Sequence, residues 1–243
     1  MNVLIVSSFE LGVLPNGLLD FHARMHFGVS YISSFLQKHG HRTELVVLSR
    51  LFGKRNIHTL EGYINEHQPK LICFTAVVSE YEFIKDIAKH VKKTHPDIYL
   101  LVGGAHISLN PDEVLADDFD ALCIGEGEAP TLELVSQLEK EQVPAGIPNL
   151  WIKHGSVVEK NPPRRFLSDL DSLPFPDRQN WRKWMDIKEP ESCTMLLSRG
   201  CPFNCSYCSN HALKNVAPGT NTRHRSPQNI VAEIAEIRKA YPT

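Results

Sequence analysis

Three of the six cysteines lie on one short stretch, Cys201-Pro202-Phe203-Asn204-Cys205-Ser206-Tyr207-Cys208. Thiolates are the usual ligands of iron–sulfur clusters, and a [4Fe–4S] cube normally takes four of them. A loop that supplies three leaves one iron open to some other ligand. A zinc ion is the competing chemistry for the same residues, since Cys201, Cys205, Cys208 and His211 make up a Cys3His set. Zinc sites more often use paired two-ligand knuckles than one tight run. The other cysteines are scattered: Cys73 and Cys123 fall in apolar runs, where a thiol is by default buried and inert, and Cys193 has no evident partner.

The elements that must position this loop can be read from composition and periodicity. The chain has 243 residues, 42% hydrophobic and 22% charged, the make-up of an ordinary globular protein of one sizeable domain and part of another. With 26 Lys+Arg against 28 Asp+Glu and a formal net charge of -2, no overall field steers it toward nucleic acid or anionic lipid, and no nucleic-acid partner is expected. No apolar run approaches the roughly 20 residues of a membrane span, and Met1–Ser7 lacks the basic start of a signal peptide. A cytoplasmic protein with reduced thiols is the expectation.

Short Val/Ile/Leu-rich runs alternate with segments of helical period, which predicts βαβ units and a parallel sheet. The fold class is therefore α/β: a flavodoxin-like, doubly wound sheet of five parallel strands at residues 3–7, 42–48, 71–75, 98–102 and 121–124. Helices are expected at 28–39, 59–67 and 130–141. Another follows the capping box Ser79-Glu80-Tyr81-Glu82, with Phe83, Ile84, Ile87, Ala88 and Val91 as its apolar stripe. Residues 1–142 form this first domain. Residues 143–190, dense in proline, read as an extended connector with a small hairpin around His154-Gly155. Residues 191–243 hold an apolar strand at Thr194–Leu197, the cysteine loop, and a helix with Ser226 as N-cap, Pro227 at its first position and Ile230, Val231, Ile234 and Ile237 as its buried stripe.

In an open parallel sheet, ligands bind beyond the carboxyl ends of the strands. The third strand exits into Thr75-Ala76-Val77-Val78-Ser79, the fourth into Gly103-Gly104-Ala105-His106-Ile107-Ser108, and the fifth into Gly125-Glu126-Gly127-Glu128. Glycines there allow close backbone approach, and Thr75, Ser79 and Ser108 offer hydrogen bonds. Neither G-x-G-x-x-G nor a Walker sequence is present, which disfavours a nucleotide. The bland alternatives are simple turn chemistry at Gly103-Gly104, acids favourable at a helix N-terminus at Glu126 and Glu128, and a solvated His106.

The C-x3-C-x2-C run after an apolar strand, with an aromatic before its last cysteine, flanked by Leu197-Ser198-Arg199-Gly200 and Arg225-Ser226-Pro227, resembles the motif of the radical S-adenosylmethionine (SAM) enzymes. Preceded by Gly-Gly-x-His, Gly-Glu-Gly-Glu and a proline-rich connector in that order, it resembles the cobalamin-binding class of that superfamily over nearly the whole chain. The resemblance implies a [4Fe–4S] cluster on Cys201, Cys205 and Cys208, SAM on its open iron with Tyr207 near the adenine, and a deoxyadenosyl radical from reductive SAM cleavage. It also implies cobalamin against the strand-end loops, with Thr75, Val77, Ser79, Gly103, Gly104, His106, Gly125, Glu126, Gly127 and Glu128 as contacts, and an electron donor such as flavodoxin or ferredoxin. The axial-histidine pattern Asp-x-His-x-x-Gly is matched only in its first half, at Asp20-Phe21-His22, with Met25 in place of glycine; cobalamin without a protein histidine on cobalt is expected.

The chain ends after one βα unit of a barrel that takes about 250 residues when complete. It is expected to be the N-terminal part of a longer enzyme, inactive alone. C-methylation of a small molecule is the leading expectation for the parent. Radical cyclisation or oxidative rearrangement, and a non-catalytic cobalamin-binding module, are the alternatives. Methylthiolation of RNA is disfavoured because Cys73 and Cys123 do not make a second triad. Six Lys/Arg (Arg199, Lys214, Arg223, Arg225, Arg238 and Lys239) against Glu233 and Glu236 would suit an anionic substrate near the cluster or a basic surface.

Overall fold

The computed structural model describes residues 1–9, 25–185 and 193–240. Its first element is β1 (Asn2–Ser8), followed by α1 (Phe27–Lys38), β2 (Arg42–Leu48), α2 (Arg55–His67), β3 (Leu71–Thr75), α3 (Tyr81–Thr94), β4 (Tyr99–Gly103), the short helices α4 (Ala105–Leu109) and α5 (Pro111–Val114), β5 (Ala121–Cys123) and α6 (Glu128–Glu139). The five parallel strands lie in the order β2-β1-β3-β4-β5. Strand order reverses between β1 and β3, and this is where an open α/β sheet forms its ligand crevice.

Both faces of the sheet are covered, which is why its strands read as continuous apolar runs rather than alternating ones. Leu4, Val6, Ile72, Phe74, Leu100 and Val102 pack against Leu60 and Ile64 of α2 and Ile84, Ile87 and Val91 of α3. The residues between them, Val3, Ile5, Leu71, Cys73 and Leu101, turn to the other face, against Val29 and Leu36 of α1 and Leu134 and Val135 of α6.

The sheet then extends beyond the expected five strands. The hairpin β6 (Leu150–His154) and β7 (Val157–Lys160) pairs antiparallel with β5, so the sheet has seven strands and the first stretch of the connector is part of it. The rest of the connector turns back to the opposite edge. There α7 (Gln179–Arg182) brings Trp181 Nε1 to Ser30 Oγ at 2.7 Å, and Trp184 Nε1 reaches the Leu45 carbonyl at 2.9 Å. Buried Asp177 accepts from Ser33, Gln37 and Asn180 at 2.6–3.0 Å.

Four local expectations are corrected. The capping box does not form: α3 starts at Tyr81 after an uncapped Glu80, because residues 77–80 make a turn and the Glu80 carboxylate accepts from Ser8 instead. Helix α2 begins at Arg55 rather than 59, its first turn held by Asn56, whose side chain bonds the Ser49 and Gly53 carbonyls. The apolar run Thr194–Leu197 forms no strand; only Ser198–Arg199 (β8) does, pairing antiparallel with β9 (Arg223–His224) beyond the short helix α8 (Asn210–Leu213), because side chains take carbonyls of the run that a ladder would use, the Arg178 guanidinium that of Thr194 and the Arg225 guanidinium that of Leu196. In α9 (Pro227–Ala240), Val231 and Ile234 are exposed and the residue that is buried is Glu233. Ser226 does cap α9, accepting from the Asn229 amide at 3.1 Å.

Leu100 is fully buried at the centre of β4. Leu100→Ala is expected to lower unfolding free energy by about 3 kcal/mol, through lost transfer energy and the cavity left behind, read as a shift in the urea midpoint at unchanged slope.

Candidate functional site

The carboxyl ends of β1, β3, β4 and β5 open onto a cavity of about 330 Å³. Its floor is apolar: Ile5, Cys73, Leu101 and Cys123 from the strands, Val29 and Ile32 from α1. Its rim is backbone and hydroxyl: Thr75, Gly103, Gly104, Ser108, Gly125, Gly127 and Thr131. Ser108 Oγ accepts from the Gly125 amide at 3.0 Å and so ties the fourth strand's loop to the fifth's. Gly104 has φ +115, and a Cβ there would lie 2.5 Å from the Ala76 carbonyl, so only glycine lets the third and fourth loops close up.

The cavity's other wall is the segment that carries the three cysteines. Leu196, Arg199, Leu213, Val216, Asn221 and Arg223 all line it. Arg199 and Arg223 face each other across the β8–β9 ladder, and both reach Glu126 Oε1, at 3.0 and 2.8 Å. Arg199 also holds Glu128 Oε1 at 2.5 Å and lies over the Tyr31 ring, 5.0 Å from its centroid. The Leu167 amide donates to Glu126 Oε2 at 2.8 Å. Burial would raise the Glu126 carboxyl, but the Leu167 amide and the two guanidiniums outweigh it and hold it below its ordinary value. Burial would likewise lower Arg199, and the two carboxylates raise it instead.

The cysteine loop hangs from this ladder. Gly200, at φ +82, presses on Asn221 where a Cβ would collide with its carbonyl, and the Cys201 amide donates to Asn221 Oδ1 at 3.2 Å. Lys214 Nζ then gathers the turn from inside, donating to the Pro202 and Phe203 carbonyls at 3.2 and 3.0 Å and to Asn204 Oδ1 at 2.7 Å. Cys201 and Cys208 are half-buried, Cys205 is exposed, and all three are free thiols. Among the described residues, no three His, Cys, Asp or Glu side chains converge on one metal position.

Of the residues expected to meet a ligand, Thr75, Gly103, Gly104, Gly125, Glu126, Gly127 and Glu128 line this cavity. Val77 is exposed beside it, and the Ser79 carbonyl is taken by Arg50 at 2.6 Å. His106 turns inward in α4 against the Tyr81 ring, with Nδ1 3.3 Å from Asn110 and a buried Nε2 without a hydrogen-bond partner. Tyr207 is 91% exposed on the cysteine loop. His22 lies outside the described residues. Cys73 and Cys123 are buried, and burial pushes both thiols up, Cys123 to about 12. The α1 side chains and the two arginines were not foreseen as lining residues; pairing the Gly-Glu-Gly-Glu acids with the nearest basic residues of the cysteine segment would have pointed to the arginines. Arg199, Arg223 and Arg225 are all spent on Glu126, Glu128 and Glu233, which leaves little of the expected basic surface free for an anion.

Residues 22–135 match the B12 binding domain family. An uncharacterized methyltransferase of Pyrococcus horikoshii is 26% identical over 218 residues, covering 88% of this chain and 46% of that protein. The anaerobic magnesium-protoporphyrin IX monomethyl ester cyclase of Rubrivivax gelatinosus is 26% identical over 224 residues, covering 88% of this chain and 39% of that protein. The cobalamin-dependent SAM radical enzyme OxsB, solved with aqua-cobalamin and SAM bound, superposes with a TM-score of 0.71 at 20% identity, covering 98% of this chain and 32% of that one. The chain thus spans less than half the length of each. No helix of the described residues is long and apolar enough to cross a membrane.

The two glycines after β4 are not equivalent. A Cβ at Gly103 would meet Cys123 Cβ at an ordinary 3.5 Å, whereas at Gly104 it meets backbone at positive φ. Gly104→Ala is expected to cost about 2 kcal/mol or more and Gly103→Ala about 0.5 kcal/mol, measured side by side by chemical denaturation.

Proposed function

We propose that this chain, a member of the cobalamin-binding-domain radical SAM enzymes by its B12-binding domain and its relatives, brings cobalamin and a [4Fe–4S] cluster to one shared site for radical methyl transfer to carbon. The observation that carries the reading is that the cavity beyond the strand ends is closed by the very segment on which Cys201, Cys205 and Cys208 stand. When bound, cobalamin supplies a transferable methyl group and the cluster with SAM supplies the radical that removes hydrogen from an unactivated carbon.

The chain's own residues divide the work. The apolar floor and hydroxyl rim suit a flat heterocycle with a ribose and phosphate attached, the composition of the nucleotide tail of cobalamin. At about 330 Å³ the cavity takes such a tail and leaves the far larger corrin to the loops outside, where Val77 and Val78 are exposed. Gly103 and Gly104 present backbone without side chains at the entrance. Cys201, Cys205 and Cys208 would hold three irons, and Lys214 fixes the turn between the first two by bonding its carbonyls. The exposed Tyr207 is free to meet SAM at the remaining iron. In this reading residues 1–142 are the cobalamin domain, 143–190 a connector whose hairpin joins the sheet, and 191–243 the start of the radical SAM domain, with substrate and reaction belonging to the whole enzyme. A small-molecule substrate and a flavodoxin- or ferredoxin-like electron donor complete the proposal.

Radical ring formation is the second reading, favoured by the cyclase of Rubrivivax gelatinosus among the relatives. Both readings share the two cofactors and differ in what the parent enzyme does with the substrate radical.

Two measurements test the cofactor assignment. Anaerobic titration with hydroxocobalamin followed by gel filtration should leave stoichiometric cobalamin on the protein peak; a colourless peak would remove the cobalamin half of the proposal. After anaerobic reconstitution with iron and sulfide, alanine at Cys201, Cys205 or Cys208 should abolish the brown chromophore, and a full cluster in any of these variants would overturn the ligand set.

A further inference from the structure

Resting on that two-cofactor reading, we infer that Arg199 is a positioning residue that couples the two sites, so that filling the cavity beyond the strand ends orders the cysteine loop and loading the loop tightens the cavity. Arg199 stands two residues before Cys201, and its guanidinium nevertheless forms part of the cavity wall. One nitrogen holds Glu126 and another holds Glu128, and both carboxylates belong to the loop whose glycines make the cavity rim. Arg223, across the ladder, holds the same Glu126 oxygen, so β8 and β9 are pulled onto that loop together. The Arg199 and Glu128 side chains are 15% and 9% exposed, which makes the contact a shielded one whose geometry cannot drift without leaving a charge unpaired.

A ligand pressing on Gly125 or Gly127 therefore moves the carboxylates that hold Arg199, and Gly200 and Cys201 follow by direct chain connection and by the Asn221 clamp. The reverse path is equally short. Two sites biased by one shared element are thermodynamically coupled, and the coupling is reciprocal: each ligand changes the affinity of the other by the same factor. Lysine cannot reproduce the arrangement, because one ammonium lacks the fork that spans two carboxylates.

The test uses the 243-residue chain and hydroxocobalamin as the probe, titrated by visible absorbance into protein with and without a reconstituted cluster. The cluster should tighten hydroxocobalamin binding by about 10-fold. Arg199→Gln should shrink that factor to less than about 2-fold and Arg199→Lys should restore part of it, by the range expected of site-to-site coupling. The electron paramagnetic resonance spectrum of the reduced cluster should change on adding cobalamin in the parent chain and stay unchanged in Arg199→Gln. A residue that merely supported the fold would lower both affinities and leave their ratio alone. If Arg199→Gln fails to fold, Glu128→Gln, which keeps the arginine and its bond to Glu126, should lose part of the coupling, and an unchanged factor there would overturn the inference. Equal affinities with and without the cluster in the parent chain, with an unmoved spectrum, would overturn the inference and leave cobalamin binding intact. A parent chain that retains no cobalamin at all would bring down the functional reading and this inference with it.

Discussion

The structure turns on a shielded group of four charges: Glu126 and Glu128 on the loop after β5 and at the start of α6, Arg199 and Arg223 on the β8–β9 ladder. Each charge taken alone into such a place would cost several kcal/mol of desolvation. Together, with the Leu167 amide and carbonyl adding two more hydrogen bonds, they satisfy one another. Acids also suit this position independently, because α6 begins at Glu128 and its N-terminus favours negative charge. The short ladder could not hold itself to the sheet by apolar area, since it is only two residues a side. Its placement is electrostatic, and the cysteine loop inherits that placement.

The same logic recurs farther along. Glu233 of α9 is 1% exposed between Arg178 and Arg225, and Arg178 also donates to the Thr194 carbonyl. The Ser226 amide, at the helix start, donates to Asp171 at 3.0 Å. The connector is thus tied to the last helix by one ion pair and by hydrogen bonds, while its own anchors, Trp181 and Trp184, reach α1 and β2. Polar contacts fix direction where apolar packing fixes only proximity, and the segment after the connector has mostly the former.

This explains what could and could not be read from the sequence. The parallel strands and their covering helices were legible because two-sided burial writes itself as apolar runs and 3.6-residue stripes, as in residues 71–75 and in α3 with Ile84, Ile87 and Val91. The cysteine spacing and the strand-end glycines were legible because the residue types themselves carry the chemistry. The pairing of β6 with β5 was hidden, since a hairpin looks the same whether it stands alone or adds to a sheet. The stripe of α9 misled for a physical reason: periodicity reports what a helix can bury, whereas Glu233 and two arginines decide what this one does bury among the described residues. The arginine wall of the cavity was invisible to a pass along the chain, because Arg199 lies 73 positions from Glu126 and only the fold makes them neighbours.

Cys73 and Cys123 lend the cavity one more character. Oxidation and alkylation of cysteine run through the thiolate, and burial disfavours that form at these two sulfurs. The floor is accordingly the less reactive surface: oxidants and electrophiles meet the more exposed thiols of the outer loop first, and the two sulfurs that line the chamber are shielded by the fold around them.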